Sequence, residues 1–115
     1  MKITNLETEP KSVMAAEGAA GAWKQVPIGS ADGTPAYSVR AFTLDPNGHS
    51  PLHRHPYEHL NYIIRGAGVI VSESGERPIR EGDFALIAPD ELHQYRNTSE
   101  DGPLVFLCAV PKAFE

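Results

Sequence analysis

The chain has one cysteine, Cys108, among its 115 residues. It cannot close an intramolecular disulfide, and no CxxC pair exists for a zinc ribbon or a dithiol redox centre. No run approaches 18 apolar residues, so no membrane-spanning helix is expected. The stretch MKITNLETEPK lacks the apolar segment of a signal peptide, and the expectation is a cytoplasmic protein. Positive charge is scarce, with 10 Lys and Arg against 15 Asp and Glu, a formal net charge of −5. No Lys/Arg cluster offsets this balance, which argues against nucleic acid and anionic membrane as partners. Helical periodicity is also missing: no stretch of ten residues repeats apolar positions at helical spacing.

The chain does hold many short strand signals between Gly, Pro and Asn punctuation. The ten glycines and ten prolines separate apolar runs at residues 23–28, 37–44, 60–65, 69–72, 78–80, 82–87, 93–97 and 104–110. Further short strands are expected at residues 3–6 and 53–55. Residues 12–21 read as a loop or one helical turn. Asp45 to Gly48 and the Gly66-Ala67-Gly68 triplet read as turns. Short strands at this density imply an all-β antiparallel barrel or sandwich. The length suits one domain that buries about two-thirds of its extended-chain surface, without needing a disulfide or structural metal.

The densest chemistry lies in residues 48–66, GHSPLHRHPYEHLNYIIRG, which hold four of the five histidines. In an extended strand, His53 and His55 point to the same face. His59 follows in the next run, and His93 enters from a later strand. Four imidazoles converging on one point form a metal site. Nitrogen ligands suit Mn, Fe, Ni, Cu or Zn, whereas Mg and Ca prefer oxygen. A metal with six coordination positions would keep two open for water, dioxygen or substrate. Glu58 is the rival of His59, because adjacent residues face opposite ways. A tighter turn after Pro56 would make Glu58 the ligand instead. His49 reads as an exposed turn residue.

These motifs resemble the cupin family. Gly48, the His53/His55 pair, position 59 and Gly66 follow the first cupin motif, with histidine where glutamate is usual. The segment GDFALIAPDELHQYRN supplies Gly82, Pro89, His93 and Asn97 of the second motif. Its usual glycine is replaced by Glu91, and the Pro-to-His spacing is one residue short. The resemblance covers residues 36–111, and its HPYEH and FLCAVP segments resemble small bacterial four-histidine cupins that bind manganese. It implies a jelly-roll barrel, also called a double-stranded β-helix. It further implies one divalent metal per chain, Mn or Fe foremost with Ni, Cu or Zn as alternatives, held by His53, His55, His59 and His93. Residues 1–35 would form N-terminal strands and a loop at a homodimer interface, with Trp23 packing across it.

Strand parity and the resemblance place Asn61, Ile63, Phe106 and Cys108 around the pocket. Arg40 would clamp a carboxylate or phenolate, and Tyr95 would donate a proton or hydrogen bond. No Ser-His-Asp or Cys-His arrangement is present. The leading expectation is a metal-dependent, dioxygenase-like oxidoreductase acting on a small enolic, phenolic or alkenyl substrate. The alternatives are a redox-neutral isomerase, cyclase or decarboxylase, and a non-catalytic small-molecule-binding module.

Overall fold

The structure, a computed structural model, describes residues 1–115. Nine strands run β1 (Ser12–Val13), β2 (Ala20–Ile28), β3 (Tyr37–His49), β4 (His59–Arg65), β5 (Ala67–Ser72), β6 (Gly75–Arg80), β7 (Phe84–Ile87), β8 (Gln94–Arg96) and β9 (Leu104–Pro111). Only two 3₁₀ turns, Ser30–Asp32 and Lys112–Phe114, are helical. Every strand pair is antiparallel, in the order β6-β5-β8-β3-β9-β4-β7, with β2 on β3 and β1 on β2.

The long strand β3 shapes the barrel. From Tyr37 to Leu44 it pairs with β9, but its last residue, His49, pairs with Arg96 of β8. The expected turn at Asp45 to Gly48 is instead a bulge inside β3, where pairing with β2 jumps from Ala22↔Leu44 to Ala20↔His49. A bulge of this kind lets one strand leave one sheet and enter the next. Asn97 pins it from within. Its side-chain nitrogen donates to the carbonyls of Leu44 (3.0 Å), Asp45 (3.1 Å) and Gly102 (2.9 Å), and its backbone N–H donates to Gly48 O at 2.9 Å.

Inward residues of the two faces meet in a core of Phe42, Leu44, Ile63, Leu104, Phe106, Cys108, Val110 and Tyr95. Phe106 stacks on Tyr95 at 4.1 Å and on Phe42 at 5.4 Å. The parity expected for β4 and β9 is observed: His59, Asn61 and Ile63 are buried on one, Phe106, Cys108 and Val110 on the other.

Three further local expectations are corrected. Residues 3–6 form no strand. Asn5 gathers a turn there, its carbonyl accepting from Thr8 and Glu9 N–H and its side chain from Glu7 N–H. Part of residues 12–21 is extended, because Ser12 and Val13 find partners in Lys24 and Trp23. Residues 53–55 are not a strand either. Only His53 pairs, through an isolated bridge to His93, and Pro51 and Pro56 stop the ladder on both sides.

Gly66 joins β4 to β5 at φ +85°, and a Cβ there would lie 2.3 Å from the Pro103 carbonyl oxygen. Both the left-handed backbone and the close approach require glycine. Gly66→Ala is expected to cost about 1–3 kcal/mol in urea unfolding. Gly102→Ala, where a Cβ meets nothing within 4 Å, should stay within about 0.5 kcal/mol. Equal losses at the two positions would contradict this packing.

Candidate metal centre

The histidines gather at one end of the barrel. His59 opens β4, His93 directly precedes β8, and His53 and His55 lie on the connection between β3 and β4. Reciprocal backbone hydrogen bonds tie His53 to His93, at 3.1 Å from His53 N–H and 3.0 Å from His93 N–H. His55 is held by its carbonyl, which accepts from Asp90 N–H at 2.7 Å. Asp90 itself adopts φ +62°. The turn thus places its left-handed residue at an aspartate, a type that tolerates this region. The missing glycine at position 91 and the short Pro-to-His spacing are accommodated in this way. Glu91 braces the turn by accepting from Ala88 N–H at 2.9 Å.

Ring nitrogens of His53, His55 and His93 lie within 4.8 Å of one another, close enough to hold one metal ion. The Nδ1 of His55 faces the Tyr57 carbonyl and that of His93 the Glu91 carbonyl, each at 2.8 Å. A carbonyl only accepts, so both Nδ1 atoms carry a proton, which leaves Nε2 as the nitrogen each ring can offer to a metal. The Nε2 of His55 is buried and has no partner in the protein. An orphaned, buried lone pair beside two further imidazoles is what a metal-binding site requires, and backbone carbonyls on the opposite nitrogens fix the ligand tautomer. The donor set fits a divalent transition metal.

Burial holds His53 down to about 4, helped by the neighbouring His93 and His55. His93 is lowered mainly by burial. His59 is pushed to about 3, first by burial and then by Arg40. These three imidazoles are neutral at pH 7, as ligands must be.

His59 packs into the cluster, its ring centroid 4.3 Å from His55 and 5.5 Å from His93. Its Nε2 lies outside the close set and faces Arg40 Nη2 at 3.1 Å. Glu58, the rival ligand, takes no part in the cluster and does not line the cavity. His49 is half-buried rather than exposed, at the end of β3 near Ser50 O and Gln94.

Arg40 is 6% exposed and takes part in no ion pair. Its Nη2 also donates to Cys108 Sγ at 3.1 Å, its Nη1 reaches the Phe114 carbonyl at 3.4 Å, and its Nε has no partner. The guanidinium lies 5.0 Å from the Phe42 ring centre. The Tyr95 hydroxyl is another buried group without a partner, and burial raises it well above its ordinary value.

These side chains line a half-open cavity of about 60 Å³. Its walls include Arg40, the four clustered histidines, Tyr95 and Phe106, together with Met14, Phe42, Ser50 and Tyr57. Asn61, Ile63 and Cys108, expected at the pocket, are not among the wall residues and lie buried in the core. The sequence reading missed Tyr57, which stacks between His55 and Phe114 at 4.1 Å on each side. Its signal was its place inside HPYEH, between two histidines. Met14 comes from an N-terminal segment that carried no signal.

Fold and site together define an all-β cupin barrel with a histidine cluster in its mouth. The chain belongs to the Cupin_2 family, described as "Cupin domain", whose profile matches residues 40–110. It is 32% identical over 72 residues to the 1-methylthio-D-xylulose 5-phosphate methylsulfurylase of Rhodospirillum rubrum, covering 63% of this chain and 46% of that protein. The chain spans less than half the length of the curated relatives it matches. Among solved structures, the polyketide cyclase RemF from Streptomyces resistomycificus superposes with a TM-score of 0.90 at 23% identity, over 96% of this chain and 79% of that one. A protein from Thermotoga maritima described as a predicted oxalate decarboxylase gives 0.83 at 22% identity, over 96% and 99%. At these identities the two structures share the fold.

A histidine whose folded-state pKa is depressed resists protonation that the unfolded chain accepts. With no metal bound, stability should be full above pH about 6.5 and decline as pH falls toward about 4, where His53 protonates in the fold. The window from 6.5 to about 5 precedes most carboxylate protonation. A urea midpoint that declines there, and declines less in His59→Gln, is expected. A flat midpoint would contradict the burial of neutral imidazoles.

Proposed function

We propose that the protein is a metal-dependent oxidoreductase, dioxygenase-like, acting on a small enolic, phenolic or alkenyl substrate. The observation that carries this reading is the triad of clustered imidazoles with no carboxylate among them, set beside a buried guanidinium that has no counter-ion. His53, His55 and His93 would hold the metal, with His59 as a fourth ligand, and the reading takes Mn or Fe as the metal. When bound, a divalent transition metal supplies a Lewis acid with coordination positions open to substrate and dioxygen. All-histidine ligation leaves the centre cationic, which favours anionic or readily ionised substrates. Arg40 would orient the anionic end of the substrate. Tyr95, whose raised pKa keeps its proton, would donate a hydrogen bond. Met14, Phe42 and Phe106 would keep bulk water out.

A second reading is a redox-neutral enzyme using the same centre as Lewis acid only. The polyketide cyclase among the similar proteins favours it. The buried Tyr95 hydroxyl would then be the proton donor. Either enzyme is read as a cytoplasmic homodimer with a small-molecule substrate. The free, buried Cys108 suits a reducing compartment.

Oxygen uptake on a panel of small enols and alkenyl phenols, with metal-loaded protein, separates the two. Substrate-dependent uptake that His53→Ala reduces by at least about a hundredfold, together with loss of metal, is the expected result. Turnover that continues undiminished without oxygen would replace the first reading by the second.

A further inference from the structure

His59 Nε2 has one lone pair, and it is already engaged. Arginine only donates, so the 3.1 Å contact from Arg40 Nη2 makes Nε2 the acceptor and leaves the ring proton on Nδ1. This explains why His59 packs its ring against His55 yet stands outside the close set of His53, His55 and His93. The same nitrogen cannot accept from Arg40 and ligate a metal at once.

Arg40 has no counter-ion of its own. It is buried, forms no ion pair, leaves Nε without a partner, and besides His59 hydrogen-bonds only the Cys108 thiol and the Phe114 carbonyl, with the Phe42 ring beside it. A buried cation in this condition lacks a negative charge that the protein does not supply. No carboxylate lines the cavity it faces. That cavity, about 60 Å³, holds roughly four to six water-sized groups. It admits a carboxylate of a few heavy atoms.

We propose that Arg40 and a metal ion compete for His59 Nε2, and that a small carboxylate resolves the competition. The anion takes the guanidinium's donors, Arg40 releases His59, and His59 completes the metal centre. Metal and anion therefore bind cooperatively. Arg40 is the positioning residue that links them, and the ligand class of the site is a small carboxylate. This inference rests on the metal-centre reading above and deepens it. The linkage is reciprocal: whatever factor the anion adds to metal affinity, the metal adds to anion affinity.

The test uses the metal-free full chain, Co(II) as the metal and formate as the anion. A charge-assisted hydrogen bond corresponds to about ten- to hundredfold in an equilibrium constant. Saturating formate should therefore tighten Co(II) binding about tenfold or more, with a visible-spectrum change as a nitrogen ligand is added. In Arg40→Met, Co(II) should bind without formate about as tightly as the wild type does with it, and the formate effect should fall below about twofold. Removing a buried positive charge by itself also favours metal binding. The double variant Arg40→Met/His59→Gln isolates that part, since only the remainder passes through His59.

The His59→Gln variant alone keeps the test decisive if Arg40→Met does not fold. Co(II) should still bind through the other three histidines, and the spectral change on adding formate should vanish. A formate effect that persists undiminished in Arg40→Met or His59→Gln means that formate acts on the metal directly, and overturns the proposal. So does Co(II) binding that formate leaves unchanged in the wild type. Absence of Co(II) binding to the wild type would instead overturn the metal centre itself.

Discussion

The reciprocal pair of hydrogen bonds between the His53 and His93 backbones is the contact on which the site depends. The two residues come from segments forty positions apart, and neither lies within a regular strand. One bridge fixes both main chains, and the side chains then follow from local donors and acceptors. His93 is turned by the Glu91 carbonyl, His55 by the Tyr57 carbonyl. The bulge in β3 carries the chain from β9 over to β8, and Asn97 fixes that bulge with two side-chain hydrogen bonds and one from its backbone N–H. A buried amide serving three carbonyls is therefore remote from the site's chemistry but supports its geometry.

The electrostatics follow from burial. Burial disfavours the charged forms of His53, His59 and His93 and keeps their lone pairs available. Arg40 cannot respond in that way, because its guanidinium does not lose its proton. Its charge is spread over soft partners: an imidazole lone pair, a thiol, a carbonyl and the face of Phe42. Such a set stabilises a cation less than a carboxylate would. The imidazole lone pairs suit a metal and the guanidinium suits an anion, and the two meet at His59.

Much of this was legible in the sequence, for physical reasons. Alternation along residues 60–65 and 104–110 fixes which side chains face inward, because a strand has period two. The buried faces of β4 and β9 match that pattern residue by residue. Histidine spacing pointed to the cluster, although the argument for His53 and His55 assumed a strand that the flanking prolines prevent. Backbone hydrogen bonding across the chain was less visible. The bulge at Asp45 to Gly48 reads locally as a turn, since Asp, Pro, Asn and Gly have the same preferences in both settings. Asn5 likewise overrode the apolar residues around it. The inward faces of β4 and β9 placed Asn61, Ile63 and Cys108 correctly in the interior. Only the three-dimensional packing sets them apart from the cavity wall, and it brings Met14, Ser50 and Tyr57 there instead.

A cupin barrel hosts many chemistries, so function here is argued from the site. The central claim is that His53, His55 and His93 form a single metal centre, with Arg40 and His59 beside it. Anomalous diffraction at the metal's absorption edge, on crystals of protein loaded with one equivalent of Mn or Fe, tests this most directly. The account predicts one anomalous peak per chain, within about 2.0–2.3 Å of the Nε2 atoms of His55 and His93 and of a ring nitrogen of His53. A peak elsewhere, or no peak in a fully folded crystal, would contradict it.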